Sequence, residues 1–350
     1  MAHLAPAFSF TAGEFNCTAA AGAGGPSRFL VERDMSGGAE SLEVEMMDRS
    51  AIAVDDPVTL ELGYDGSTQT VFTGSVAVVE PGLEGVRLIA LGKMDALMRL
   101  RMAAFYEGRT AGDIVKDLAG QAGLDTDTID DGPELPRYAV DRRLSGYTHC
   151  RELAARLGFE LYTSKQGKLM FRALGAAASL DAGGLGGALG AAASVLGLSG
   201  GEGYEAGKHL LAATARRAKT AADRIEVAGE SPMSSEGDSA AHWLTPETDN
   251  FRGEAGSGNS SWLVVDLAAR TQDLAGRFAQ GYLVTAQRPA NAASIAVFGR
   301  ESLELGDSIR VSSAADPLIN SSWYIQALRH ELSRERGFRT EMRLIPESAS

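Results

Sequence analysis

The sequence predicts an α+β chain that is mostly β: two small antiparallel β-barrels flanking a small α/β module, with a Gly/Ala-rich insertion. Three observations predict it. Residues 41–91 alternate apolar and polar side chains with period two, residues 109–158 change to helical spacing, and strand-like text returns in the last third after an Ala, Gly and Leu stretch. A chain of 350 residues holds two or three such units, since domains usually run to roughly 100–200 residues.

The first barrel is placed at residues 1–95. Val58, Leu60 and Leu62 alternate with Thr59 and Glu61, as in a half-buried strand, and Asp65-Gly66 follows at once. That dipeptide suits a tight hairpin turn because glycine tolerates positive φ, and the return strand starts near Val71. The α/β module is placed at 96–172. In "RTAGDIVKDLAGQAGL" the residues Ile114, Val115, Leu118 and Ala122 share a helical face, with Thr110 as N-cap and Gly123 as stop. "SGYTHCRELAARLGF" repeats the pattern with Cys150, Leu153, Ala154 and Leu157, and ends at Gly158. Two short strands then turn around Gln166-Gly167.

Residues 173–220 are read as the Gly/Ala-rich insertion and a connector, because composition shifts abruptly after Arg172. The second barrel is placed at 221–350, with one helix packed on it. Its text runs from the strand "DRIEVAG" through a turn-rich stretch at 231–261 to "DLAARTQDLAGRFAQGYL", where Leu267, Leu274, Phe278 and Tyr282 fit one helical face. It closes on four strands, from "SIAVFG" to "FRTEMRLIP".

Composition excludes several functions. The 46 acidic residues against 33 basic ones give a formal charge of −13, which opposes attraction to nucleic-acid backbones or anionic lipid. No sequence-specific nucleic-acid partner is expected. Two cysteines, Cys17 and Cys150, supply neither a disulfide framework nor a zinc site. The first 15 residues lack a basic segment followed by a long apolar core, so no secretory signal is read and assembly in the cytoplasm is expected.

Catalytic chemistry finds no support. His149 and Cys150 are helical neighbours pointing about 100° apart, too divergent for a nucleophile and its base. His330 and Glu331 fall on opposite faces of a strand. The five histidines, at 3, 149, 209, 242 and 330, show no metal-binding spacing. No catalytic, cofactor or metal residues are assigned, and no cofactor is expected.

The stretch "GGLGGALGAAASVLGL", 183–198, lacks the Lys-Ser/Thr of a phosphate loop. Residues 182–201 are uncharged and match the about 20 residues of a spanning helix. Their glycines, however, each cost about 1 kcal/mol of helix stability and bring almost no lipophilic area. The segment is therefore read as an excursion from the core, with membrane contact not expected. Small side chains would let it pack closely against a partner, with Leu185, Leu189, Val195, Leu196 and Leu198 as anchors.

The order of segments resembles the tail (baseplate) hub family, also called phage late control protein D, together with VgrG-type hub cores of contractile injection systems. The likeness rests on "VDDPVTLELGYDGSTQTVFTGSV", with Phe72 and Gly74 at recurring positions, on the two helix segments above, and on "LELGDSIRV…WYIQALRHELSRERGFRTEMRL", where Gly306, Tyr324, His330 and Phe338 fit. The resemblance implies a non-enzymatic structural hub of a contractile phage tail or phage-like injection device, a component of a virion tail or an injection particle. It implies a homotrimer whose two barrels per chain give six quasi-equivalent positions, adapting a threefold spike to a sixfold tail tube. Partners implied are a separate spike or tip protein, the tube or tube-initiator protein, baseplate wedge proteins, and a tape measure or cargo. The alternatives are a tail-associated cell-wall hydrolase and a glycan- or receptor-binding β-protein, for which Trp243, Trp262 and Trp323 would form the platform.

Overall fold

Residues 5–19, 25–47, 52–174, 202–229 and 251–347 are described by a computed structural model. The first seven strands are β1 (Pro6–Ala12), β2 (Phe15–Thr18), β3 (Pro26–Asp34), β4 (Ser41–Met46), β5 (Pro57–Tyr64), β6 (Ser67–Pro81) and β7 (Val86–Gly92). They curl around a core that includes Phe10, Phe29, Val44, Leu60, Phe72 and Leu88. The expected alternation holds: in β5, Val58, Leu60 and Leu62 are buried while Thr59 and Glu61 are only partly so.

The β5–β6 hairpin closes with Tyr64 opposite Ser67, leaving Asp65 and Gly66 as the two turn residues, at φ 51° and 82°. Two consecutive positive φ values make the turn whose twist matches the flanking strands. No atom lies within 4 Å of a Cβ built on Gly66, so the constraint there is conformational and not steric. A Gly66→Val substitution is expected to lower stability by about 1 kcal/mol or more, measurable as a shift in the urea midpoint; Gly66→Asn, which tolerates this region, should recover most of it.

The module follows. It comprises α1 (Met94–Arg99), β8 (Ala104–Thr110), α2 (Ala111–Gln121), β9 (Thr126–Ile129), β10 (Glu134–Val140), α3 (Gly146–Leu157), β11 (Glu160–Thr163) and β12 (Leu169–Arg172). The Thr110 hydroxyl accepts from the Asp113 amide at 3.1 Å and caps α2, and Gly123 follows its end at φ 69°. Ser145 caps α3 in the same way, accepting from Thr148, and Gly158 ends it in the left-handed region.

The remaining elements are β13 (Glu202–Glu205), β14 (Leu210–Arg217), β15 (Arg224–Ala228), β16 (Arg252–Gly256), β17 (Ser261–Val265), α4 (Gln272–Gln287), β18 (Asn291–Phe298), β19 (Ser308–Ser312), β20 (Ser322–Ser333) and β21 (Gly337–Pro346). Strands β13, β14 and β18–β21 form the second barrel around Ile295, Ile309, Trp323, Ile325 and Leu344. Two of its strands, β13 and β14, come from sequence read above as connector: β13 runs parallel to β19, and β14 is antiparallel to β18.

A second difference concerns α4, expected on the second barrel. It packs instead on α3 and on the small sheet β16-β15-β17, and it buries Leu274, Phe278 and Ala279 in one core with α2 and α3. Gly281 permits this, because a Cβ there would lie 2.1 Å from the Arg156 carbonyl of α3. Leu267, read as part of the helical face, precedes the helix and is exposed. The turn-rich stretch 231–261 contributes β16 and the start of β17; its residues 231–250, with Trp243, lie outside the described residues. Leu185, Leu189, Val195, Leu196 and Leu198 lie outside them as well.

Candidate functional surface: one sheet across two barrels

The two barrels are not separate. Strand β20 pairs antiparallel with β3 over seven residue pairs, from Ala327 opposite Asp34 to Ser333 opposite Arg28. The result is a 13-stranded sheet whose main path runs β14-β18-β21-β20-β3-β4-β7-β6-β5-β1-β2, with β19 and β13 branching from β20. Core residues cross this joint in both directions. Leu332 and Phe338, from the second barrel, complete the core of the first, where the Phe338 ring lies 5.6 Å from that of Tyr64. Met35, just past β3, is fully buried in the core of the second.

One face of the continuous sheet is a lattice of ion pairs. Arg87 bridges Glu80 at 2.7 Å and Glu43 at 2.9 Å; Arg28 reaches Glu45 at 3.2 Å and, across the joint, Glu331 at 3.3 Å. Arg329 lies 3.6 Å from both Glu32 and Glu341, Arg336 is 3.7 Å from Glu331, and Arg343 contacts Asp34 at 2.7 Å. Exposed pairs of this kind contribute roughly 0–1 kcal/mol each, so their main effect is on the charge of the face. Five guanidinium groups meet seven carboxylates there, which leaves the lattice only weakly acidic despite the chain's −13.

Beneath the joint, three parts of the chain meet on buried charges. Arg33 of β3 donates to Glu304 Oε2 at 2.9 Å, ahead of β19, and to the Thr163 carbonyl of β11 at 2.9 Å. Glu40 lies beside it, accepting from the Thr163 hydroxyl. Burial pushes the Glu40 carboxyl up to about 7, with Arg33 only partly opposing the rise. The unfolded chain ionises Glu40 from about 4.5 upward while the folded chain holds the proton until about 7, so stability is lost as pH rises through that window. Glu40→Gln is therefore expected to unfold at higher denaturant than the parent at pH 8, by up to about 3 kcal/mol, and to match it at pH 4. Identical curves at both pH values would remove the buried proton from this joint.

None of these buried charges was singled out from the sequence. The signal available was a lone charge inside an apolar run, as Arg33 is in "RFLVERDM" and Glu160 in "GFELYT". The motif residues named from the sequence do fall at this joint or in the barrels it connects. Phe72 is buried in the first core, and Gly74 lies where a Cβ would meet the Leu91 carbonyl at 2.1 Å. Gly306 turns into β19 at φ 84°, and Tyr324 is half-buried on β20.

His330 is fully buried, with Nδ1 2.9 Å from the Thr340 hydroxyl, and burial together with Arg33 and Lys165 pushes it down to about 3. It is a neutral packing group. Burial likewise pushes the Cys150 thiol up, away from a reactive thiolate. Among the described residues no group of three or more His, Cys, Asp or Glu is placed to hold a metal ion, and no helix is long and apolar enough to cross a membrane.

The family model for the phage tail baseplate hub (GPD) matches residues 37–336, a range that runs from just after β3 through the whole module to the end of β20. The chain belongs to that family. The hub's fold is shared with solved tail proteins at low sequence identity. A tail protein from Neisseria meningitidis matches at TM-score 0.71 and 15% identity, covering 98% of this chain and 97% of that one. The 43 kDa tail protein of a Shewanella oneidensis prophage matches at TM-score 0.68 and 13% identity, covering 97% and 98%. A component of the Escherichia coli type VI secretion system matches at TM-score 0.55 and 11% identity, covering 96% of this chain and 76% of that chain. No curated protein sequence gives a significant match. The hub therefore has a fold used in phage tails and in type VI secretion.

Proposed function

We propose that the hub is the non-catalytic adaptor of a contractile phage tail or related injection baseplate, a homotrimer that joins a threefold spike to a sixfold tail tube. The β3–β20 pairing carries this reading. It makes two barrels of one chain into a single curved sheet, so three chains present six barrels of similar construction. The two ends of that sheet, β2 and β14, pair on one side only among the described residues, and an open strand edge is a template for pairing with another chain. Closure of three copies through these edges would pair both ends of the main path in a ring. If the ion-pair lattice faces the bore, a polyanionic cargo meets a surface on which most of the cations are already paired with carboxylates.

The hub assembles in the cytoplasm on this reading and leaves as part of the particle. A separate spike binds one end, the tube or its initiator the other, and wedge proteins the periphery. Native mass spectrometry of the hub co-expressed with its spike is expected to give three hub copies per complex. A stable monomer in that mixture would overturn the ring.

A further inference from the structure

Away from the barrels, exposed apolar side chains gather at one place. Strand β17 is an edge of the small sheet β16-β15-β17 and pairs only with β15 among the described residues. Its register sets Val264 opposite Val227, packed on the core, and Leu263 and Val265 opposite Glu226 and Ala228, on the outer face; Trp262, opposite Ile225, is itself 47% exposed. Leu263 is 62% exposed, Val265 69% and, just beyond the strand, Leu267 57%. Soluble proteins normally protect a free edge with charge, proline or a bulge. This one has none of these over its five residues.

The edge runs into a cleft of about 610 Å³ between β17, the β8–β10 ribbon and α3. Leu267 and Phe105, 57% and 60% exposed, line the cleft together with Arg137, which lies 5.9 Å over the Phe105 ring. Its floor is polar and incompletely matched. Asp266 Oδ2 accepts there from Arg156 Nε at 2.7 Å and from the Tyr282 hydroxyl at 2.8 Å, while Arg156 Nη1, 3.6 Å from Glu152, makes no hydrogen bond. Arg270 is not so paired: its Nε is buried without an acceptor, and no carboxylate of the described residues lies within ion-pair distance of it. The 97%-buried His149 uses Nε2 on the Asp141 backbone and leaves Nδ1 without a partner. Buried polar atoms of this kind are uncommon in native structures and call for a partner.

We infer that the free edge of β17 and the cleft beyond it bind an extended, carboxylate-bearing peptide strand supplied by another protein of the particle. The inference rests on the hub reading for its source of partners. The backbone of such a strand would pair with β17, its alternate apolar side chains would cover Leu263, Val265 and Phe105, and its carboxylate would meet Arg270. The carboxylate of the occupant is called for by Arg270, which has no ion-pair partner among the described residues and whose buried Nε has no acceptor.

The test pans the full chain against a display library of random twelve-residue peptides and measures the selected peptide by fluorescence anisotropy. Enriched peptides are expected to alternate apolar residues and to carry one Asp or Glu. Affinity should fall at least tenfold in Arg270→Gln, and in the Leu263→Lys/Val265→Lys variant, with melting unchanged. Replacing the peptide's acidic residue by its amide should cost the same factor on the unaltered chain and nothing further on Arg270→Gln; this arm needs no variant of the hub to fold. Failure to enrich such peptides, or equal binding of the amide peptide, would overturn the inference. So would self-association abolished by the lysine variant, which would place a second copy at the edge, or binding that appears only when residues 230–250 are deleted. A trimer that binds no peptide would remove this site and leave the hub reading standing.

Discussion

Phe338→Ala is expected to destabilise the hub by about 3–5 kcal/mol. The ring is buried at the joint between the barrels, packed against Tyr64 and His330 and inserted in the core of the first barrel although its strand belongs to the second. Removing it leaves a cavity that β20 and β3 are held too rigidly by their pairing to close. Urea denaturation followed by tryptophan fluorescence, to which Trp323 of the second core contributes with Trp243 and Trp262, should move to lower urea together with far-ultraviolet dichroism. Phe298→Ala is the control: that ring is 62% exposed on β18 and should change stability by no more than about 0.5 kcal/mol. Equal effects at the two positions would mean that the joint is not a shared core.

Arg288→Met is expected to cost a similar amount, about 3–5 kcal/mol, for a different reason. Arg288 follows α4 and forms an ion pair with Glu160 of β11, which is 1% exposed; Arg151 lies at 3.8 Å as its second cation. Arg288 also donates to the Gly158 carbonyl at 2.9 Å. Burial already pushes the Glu160 carboxyl up against the opposing pull of Arg288 and Arg151. Without Arg288 a carboxylate is left in the interior, largely unneutralised. Glu160→Gln introduced on the same chain should restore most of the stability, since the neutral amide carries no charge to strand. No recovery in the double variant would show that the arginine acts through its packing or its bond to Gly158.

Local structure was well determined by the amino-acid sequence. The Asp65-Gly66 turn, the Thr110 cap and the Gly123 stop follow from preferences of single residues, and each is where the pattern placed it. The alternation in β5 and the apolar faces of α2 and α3 follow from the two periods of strand and helix. The order of such segments also carried the resemblance that the family match makes good, because many weak local signals in one sequence are jointly specific.

What the sequence could not determine is which elements meet. Period-two alternation says which side chains of a strand face inward and is silent on its neighbour, so nothing local marks β3 and β20, some 300 positions apart, as partners. For the same reason α4 could be recognised as a helix but not assigned to the module it packs on. That choice depends on the fit of Gly281 against the α3 carboxyl end, a property of two surfaces and not of one segment. The buried charges were hidden most completely. Arg33 and Glu160 stand out at most as charges within apolar runs and Glu40 and Arg288 not at all; only when the strands around them close does desolvation make each depend on a partner far away in the chain. Sequence sufficed for propensity and pattern, which are decided over a few residues; pairing, docking and buried electrostatics required the tertiary structure, because their energies exist only between surfaces that folding brings together.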